Sequence, residues 1–102
     1  MKFIIYNGSL KADAESNTFS VCKMAQLAFE KLGHDCEIVT MRDLNYEGST
    51  ADVNDELKPH IMKMFNVDGV IFATPIWWGN HSCHIQAMLE RLDVIYSWAK
   101  DN

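Results

Sequence analysis

The sequence predicts an α/β domain built on a parallel sheet, and two observations carry that prediction. Two compact apolar runs, KFIIY at 2–6 and GVIFA at 69–73, lack the apolar–polar alternation of a half-exposed strand. Such runs mark strands covered on both faces. Each strand-like run is followed by a helix-like pattern, so the order reads β-α-β-α-β-α. Alternation of that kind implies crossover helices, a parallel sheet and right-handed connections.

The elements follow in chain order. The first strand, 2–6, stops at Asn7-Gly8. A helix is predicted over 18–32, where Val21, Ala25, Ala28 and Leu32 recur on one face. Ser16, Asn17 or Thr18 can cap its start, and Gly33 stands where helices commonly end. CEIVT at 36–40 is the second strand, and the polar stretch 43–54 is a loop. Leu57, Ile61 and Met64 mark a second helix in which Pro59 fits only the first turn, where its missing N–H does little harm. The third strand, 69–73, is closed by Thr74-Pro75, since proline cannot donate to a sheet ladder. From Ser82 onward, Ile85, Leu89, Leu92 and Tyr96 give a third amphipathic helix.

Size and composition narrow the function. The 102 residues suit one domain, 1–102, and 48 % hydrophobic content allows a core. No apolar run nears the roughly 20 residues that span a bilayer. The apolar stretch after Lys2 is only Phe3 to Tyr6, too short for a secretory leader, so a cytoplasmic location is expected. A net charge of −5 with no basic stripe argues against a nucleic-acid interface. Cys22, Cys36 and Cys83 are odd in number and form no CxxC, which points to free thiols rather than a disulfide framework or thiolate zinc site. His81, Cys83 and His84 do not fall on one helical face, so no metal is expected. His34 and His60 read as surface residues. No triad or paired-carboxylate spacing supports hydrolysis, and no catalytic side chain is assigned.

Ligands of parallel sheets sit beyond the carboxyl ends of the strands, where strand order reverses. Two loops leave those ends together if the first and third strands are neighbours. In the first, 7–17, Ser9, Ser16, Asn17 and Thr18 precede the predicted helix, with Gly8 for a close turn and Lys11 as a cation. Free N–H groups and the helix dipole at that point suit a phosphate. The same residues also read as a plain capped helix after a turn. Neither GxxxxGK[ST] nor GxGxxG is present, so a mononucleotide phosphate fits better than ATP or a dinucleotide. In the second loop, TPIWWGNHSCH at 74–84, two adjacent tryptophans follow a buried strand. They pack a core or an interface, or they offer a face to a planar ring hydrogen-bonded by the 79–80 backbone.

At these two loops the chain resembles the flavodoxin-like NAD(P)H-dependent FMN reductases, a group that includes quinone reductases and iron–sulfur flavoproteins. GSLKADAESNT is similar to that family's phosphate loop. ATPIWWGNHSCHIQAMLERLD is similar to its segment of strand end, Thr/Ser-Pro, aromatic pair, Gly and helix. The resemblance implies a flavodoxin-like three-layer sandwich with strand order 2-1-3 and FMN as cofactor. It implies that Ser9, Lys11, Ser16, Asn17 and Thr18 hold the FMN phosphate, and that Pro75, Ile76, Trp77, Trp78, Gly79 and Asn80 hold the isoalloxazine ring. Electrons then pass from NAD(P)H through flavin to a quinone, another flavin or a further acceptor. The alternatives are a short electron-transfer protein without nicotinamide turnover and a flavin-free interaction module. The family domain has five strands in ~150–200 residues, whereas this sequence stops after the third helix, as a fragment, as a chain whose remainder a separate chain supplies, or as a naturally short version. An exposed third-strand edge is then expected, with Tyr96 and Trp98 poorly covered and the open side buried by self-association into a homo-oligomer, a dimer in the simplest case.

Overall fold

The computed structural model describes residues 1–101, apart from the side chains of Asp13, Trp98, Ala99 and Asp101. Among the described residues, three strands form one parallel sheet: β1 (Lys2–Asn7), β2 (Asp35–Thr40) and β3 (Gly69–Ala73). Their order is β2-β1-β3, the 2-1-3 arrangement implied above. The central β1 is in register with both neighbours, Ile5 facing Ile38 on one side and Ile71 on the other. Ile4, Ile5, Tyr6 and Asn7 are all buried, which is why that run carries no alternation.

Among the described residues, three α-helices cover the sheet: α1 (Asn17–Lys31), α2 (Leu57–Met62) and α3 (Cys83–Asp101). On one face Phe3 of β1 stacks on Phe29 of α1, with ring centroids 4.3 Å apart. On the other, Ile4 and Tyr6 join Leu57 and Ile61 of α2 and Ile85 and Met88 of α3 in the main core. The Tyr6 hydroxyl donates to the His60 carbonyl at 2.6 Å, so the buried phenol is satisfied. The fold is therefore a three-layer α/β sandwich of flavodoxin-like type.

Two predicted helix faces are turned relative to the sheet. On α1, Val21 is 62 % and Leu32 74 % exposed, while Cys22 is buried and Phe29 half-buried. The inward face is offset one residue from the expected stripe. Both stripes satisfy a 3.6 period, and the Phe3–Phe29 stack selects between them. On α3, Ile85 is buried as expected, but Leu89 and Tyr96 are exposed, and Met88, Arg91 and Val94 complete the inward face. The Trp98 side chain lies outside the described residues.

Arg91 sets the facing of α3 apart from the apolar stripe, because a buried arginine looks like a surface residue in sequence. It is 1 % exposed. Its guanidinium grips both carboxylate oxygens of Asp55, at 2.9 and 3.1 Å, and donates to the Val53 carbonyl at 2.9 Å. Asp55 in turn accepts the Leu57 and Lys58 N–H groups at the start of α2, each at 3.2 Å. One ion pair thus fastens the 44–56 loop, caps α2 and ties both to α3. Pro59 sits third in α2, within the first turn. Beyond Met62 the chain tightens into a 3-10 turn, Lys63–Asn66.

Candidate functional site

The carboxyl end of β1 is tied down before the first loop begins. The Asn7 side chain is buried, accepts the Ser9 N–H at 3.1 Å and donates to Thr40 Oγ1 at 3.4 Å. The Gly8 N–H donates to the Ala73 carbonyl at 2.8 Å, joining the ends of β1 and β3. A Cβ at Gly8 would lie 2.4 Å from Ile85 Cγ1 and 2.8 Å from Ser82 Oγ. Glycine is required there because α3 enters against this backbone.

The loop then closes on α1 through two serines. The Ser16 hydroxyl donates to Ser9 Oγ at 2.7 Å and accepts the Phe19 N–H at 2.9 Å, making Ser16 the N-cap. Ser9 Oγ also accepts the Lys11 N–H at 3.2 Å. Ser9 and Ser16 are both buried. They brace the loop, and their hydroxyls are engaged with one another. The N–H groups and side chains of Asn17 and Thr18 make no hydrogen bond among the described residues. The first turn of α1 therefore presents free donors at the positive end of its dipole.

The second loop is held at its feet and projects at its tip. Thr74 Oγ1 accepts the Ser82 N–H at 2.7 Å, and Ser82 Oγ accepts the Ile85 N–H at 3.3 Å at the start of α3. At the tip, Trp77 and Asn80 exchange two backbone hydrogen bonds, each 2.9 Å. Trp78 has φ 54° and Gly79 φ 76°, the paired positive values of a type I′ turn. Gly79 adopts that conformation freely; tryptophan rarely does.

A cleft of about 210 Å³ opens between the two loops. From the first loop and α1 it is lined by Ser9, Lys11, Ser16, Asn17 and Thr18. Pro75, Ile76 and Trp77 form the facing wall, with Trp77 about half exposed. Trp78, Gly79 and Asn80 do not line it; they form the turn beside its mouth. Leu10 is a lining residue that sequence reasoning passed over, its only signal being an isolated apolar side chain between Ser9 and Lys11.

A second cluster lies at the start of α3. The Tyr46 hydroxyl hydrogen-bonds His84 Nδ1. Burial, then the nearby Cys83 and Asp55 charges, push the Tyr46 phenol up to about 12. Burial, then the Arg42 cation, lower His84 from its ordinary value. Both shifts favour the uncharged forms of the two rings. Nothing in the sequence paired two residues so far apart.

A parallel 2-1-3 sheet with a donor-rich helix start facing an aromatic loop defines a flavodoxin-like protein with a cleft at the carboxyl ends of its strands. The model of the NADPH-dependent FMN reductase family matches residues 1–102, and the chain belongs to that family. FMN is the cofactor of the family, and the cleft suits it: free amides and Lys11 for a phosphate at one end, an indole for a flat ring at the other. No curated protein sequence matches. The fold is similar to the crystal structure of RosB with the bound intermediate 8-demethyl-8-formylriboflavin-5'-phosphate, with a TM-score of 0.81 and 24 % identity. That match covers 92 % of this chain and 42 % of RosB, so the chain spans less than half of that protein's length. No helix among the described residues is long and apolar enough to cross a membrane.

Proposed function

We propose that the protein is an FMN-dependent oxidoreductase that takes electrons from NAD(P)H and passes them to a quinone, a flavin or another acceptor. The observation that carries this reading is the convergence of the two loops on one cleft, with phosphate-type donors at one end and Trp77 at the other. The amides and side chains of Asn17 and Thr18, with Lys11, hold the phosphate. Ser9 and Ser16 keep the cradle open and correctly shaped. Pro75, Ile76 and Trp77 wall the isoalloxazine, and the Trp78–Gly79–Asn80 turn stands at its edge with backbone groups within the reach of a ring substituent. The chemistry supplied by bound FMN is hydride uptake from a nicotinamide and delivery of electrons to an acceptor. The chain's own task is to bind, orient and stack, and no side chain is required as an acid or base.

The same reading includes self-association. Val21, Met24 and Leu27 form an exposed apolar flank on α1, and β3 pairs with β1 alone among the described residues. A groove of about 460 Å³ between α1 and β3 shares Asn17 and Thr18 with the cleft, so a second copy packed there sits beside the phosphate end.

The test is an absorption spectrum of the purified protein with FMN, followed by anaerobic addition of NADPH or NADH. Flavin bands that bleach at enzymatic rates support the reading. Retained flavin that neither nicotinamide bleaches favours an electron carrier, and no flavin retention overturns the assignment.

A further inference from the structure

We propose that Trp78 is the platform for a second planar ring at the mouth of the cleft, separate from the flavin wall formed by Trp77. The inference rests on the FMN reading above. The two indoles are adjacent in sequence but not equivalent in space. Trp77 lines the cleft, whereas Trp78 does not and is 99 % exposed.

Among the described residues, nothing accounts for tryptophan at this position. Its side chain buries no surface, and its backbone lies at φ 54°, where asparagine or glycine is favoured in a type I′ turn. Both facts are destabilising or neutral for folding, so the indole serves a contact outside the chain. The turn that carries it is firm. Two backbone hydrogen bonds close it, the Asn80 side-chain amide donates to the Trp78 carbonyl at 3.3 Å, and the loop's feet are joined at Thr74 and Ser82. A ring held on such a turn meets its partner with little ordering cost.

The size of the cleft identifies the occupant. At about 210 Å³ it is smaller than the roughly 300–1,000 Å³ of ordinary small-molecule pockets. A ring laid against Trp77 therefore remains open on its outer side. Leu10 and Ile76, which line the cleft, and Trp78, next in sequence to the lining Trp77, are all exposed apolar side chains. An FMN reductase must bring a second planar reactant to the flavin, and Trp78 offers it an indole face with one N–H donor. That reactant is either the nicotinamide of NADPH or the ring of the acceptor; both present the same flat, conjugated chemistry.

The experiment uses wild type, Trp77→Ala and Trp78→Ala. The affinity for FMN is read by flavin fluorescence on apoprotein, and KM and kcat are read with NADPH and with a p-benzoquinone probe. Trp78→Ala is expected to leave FMN affinity within about twofold. It is expected to raise one KM by about three- to tenfold, the scale of one lost ring contact, with kcat little changed. The KM that rises, for NADPH or for the quinone, names the reactant. Trp77→Ala is expected to weaken FMN itself. A Trp78→Ala variant that binds FMN as poorly as Trp77→Ala, or one with both KM values unchanged, overturns the inference while the FMN reading stands. Failure of the wild type to bind FMN overturns both.

Discussion

Trp78 and Gly8 show how single residues answer to different demands at the same end of the sheet. Gly8 serves packing: Ile85 and Ser82 occupy the space a side chain would need. Gly8→Ala is expected to cost about 1–3 kcal/mol in chemical denaturation, because α3 has to shift. Trp78 runs the other way. Trp78→Asn produces the Asn-Gly pair that type I′ turns favour, and it should raise the melting temperature by a few degrees, from relief of about 0.5–1 kcal/mol of backbone strain. A lower melting temperature would show that the indole supports the fold. The small hydroxyl cluster of the first loop was legible in the sequence as a ligand or cap signal. The structure divides it, with Ser9 and Ser16 facing each other and Asn17 and Thr18 left free, because the N-cap geometry engages Ser16 first. Residue type alone does not carry that division.

At the scale of elements, the 44–56 loop and α2 depend on α3 through Asp55 and Arg91. Arg91→Ala leaves a carboxylate that is only 13 % exposed without its cation. The expected loss is about 3 kcal/mol, the low end for a broken buried pair, since Asp55 keeps the α2 amides as partners. Burial alone would raise the Asp55 carboxyl. The Arg91 hydrogen bonds, the Glu47 and Lys58 amides and the Arg91 charge outweigh it and hold the carboxyl below its ordinary 3.8. The sign follows from that depression. The stabilisation is complete above about pH 3.8 and is lost as pH falls further, because the unfolded chain then binds the proton more readily. Urea midpoints of wild type and Asp55→Asn should differ at neutral pH and converge in strong acid; a constant difference would contradict this. All three strands and all three helices were legible from apolar runs, glycine and proline. The facing of α1 and α3 was not, since one stripe is chosen by the Phe3–Phe29 stack and the other contains a buried arginine.

At the scale of the whole molecule, the three-layer sheet brings two loops far apart in sequence to one cleft, and that juxtaposition was readable once the first and third strands were taken as neighbours. The Tyr46–His84 contact was not readable, because it depends on how an irregular loop folds over α3. The same architecture leaves Val21, Met24 and Leu27 uncovered on α1, with Val21 facing the groove beside β3. Sedimentation velocity at micromolar concentration should therefore report a dimer or larger, and Met24→Glu should shift it toward monomer. A folded wild-type monomer would contradict that expectation. The central claim is that a phosphate sits at the start of α1 while its ring lies on Trp77. The most direct measurement is the affinity for FMN against that for riboflavin, in wild type and in an Asn17→Ala/Thr18→Val double variant. The account predicts that wild type prefers FMN by tenfold or more, about 1.4 kcal/mol or above, and that the double variant loses most of this preference. Equal affinity of wild type for the two flavins, or an FMN preference untouched in the double variant, would contradict it.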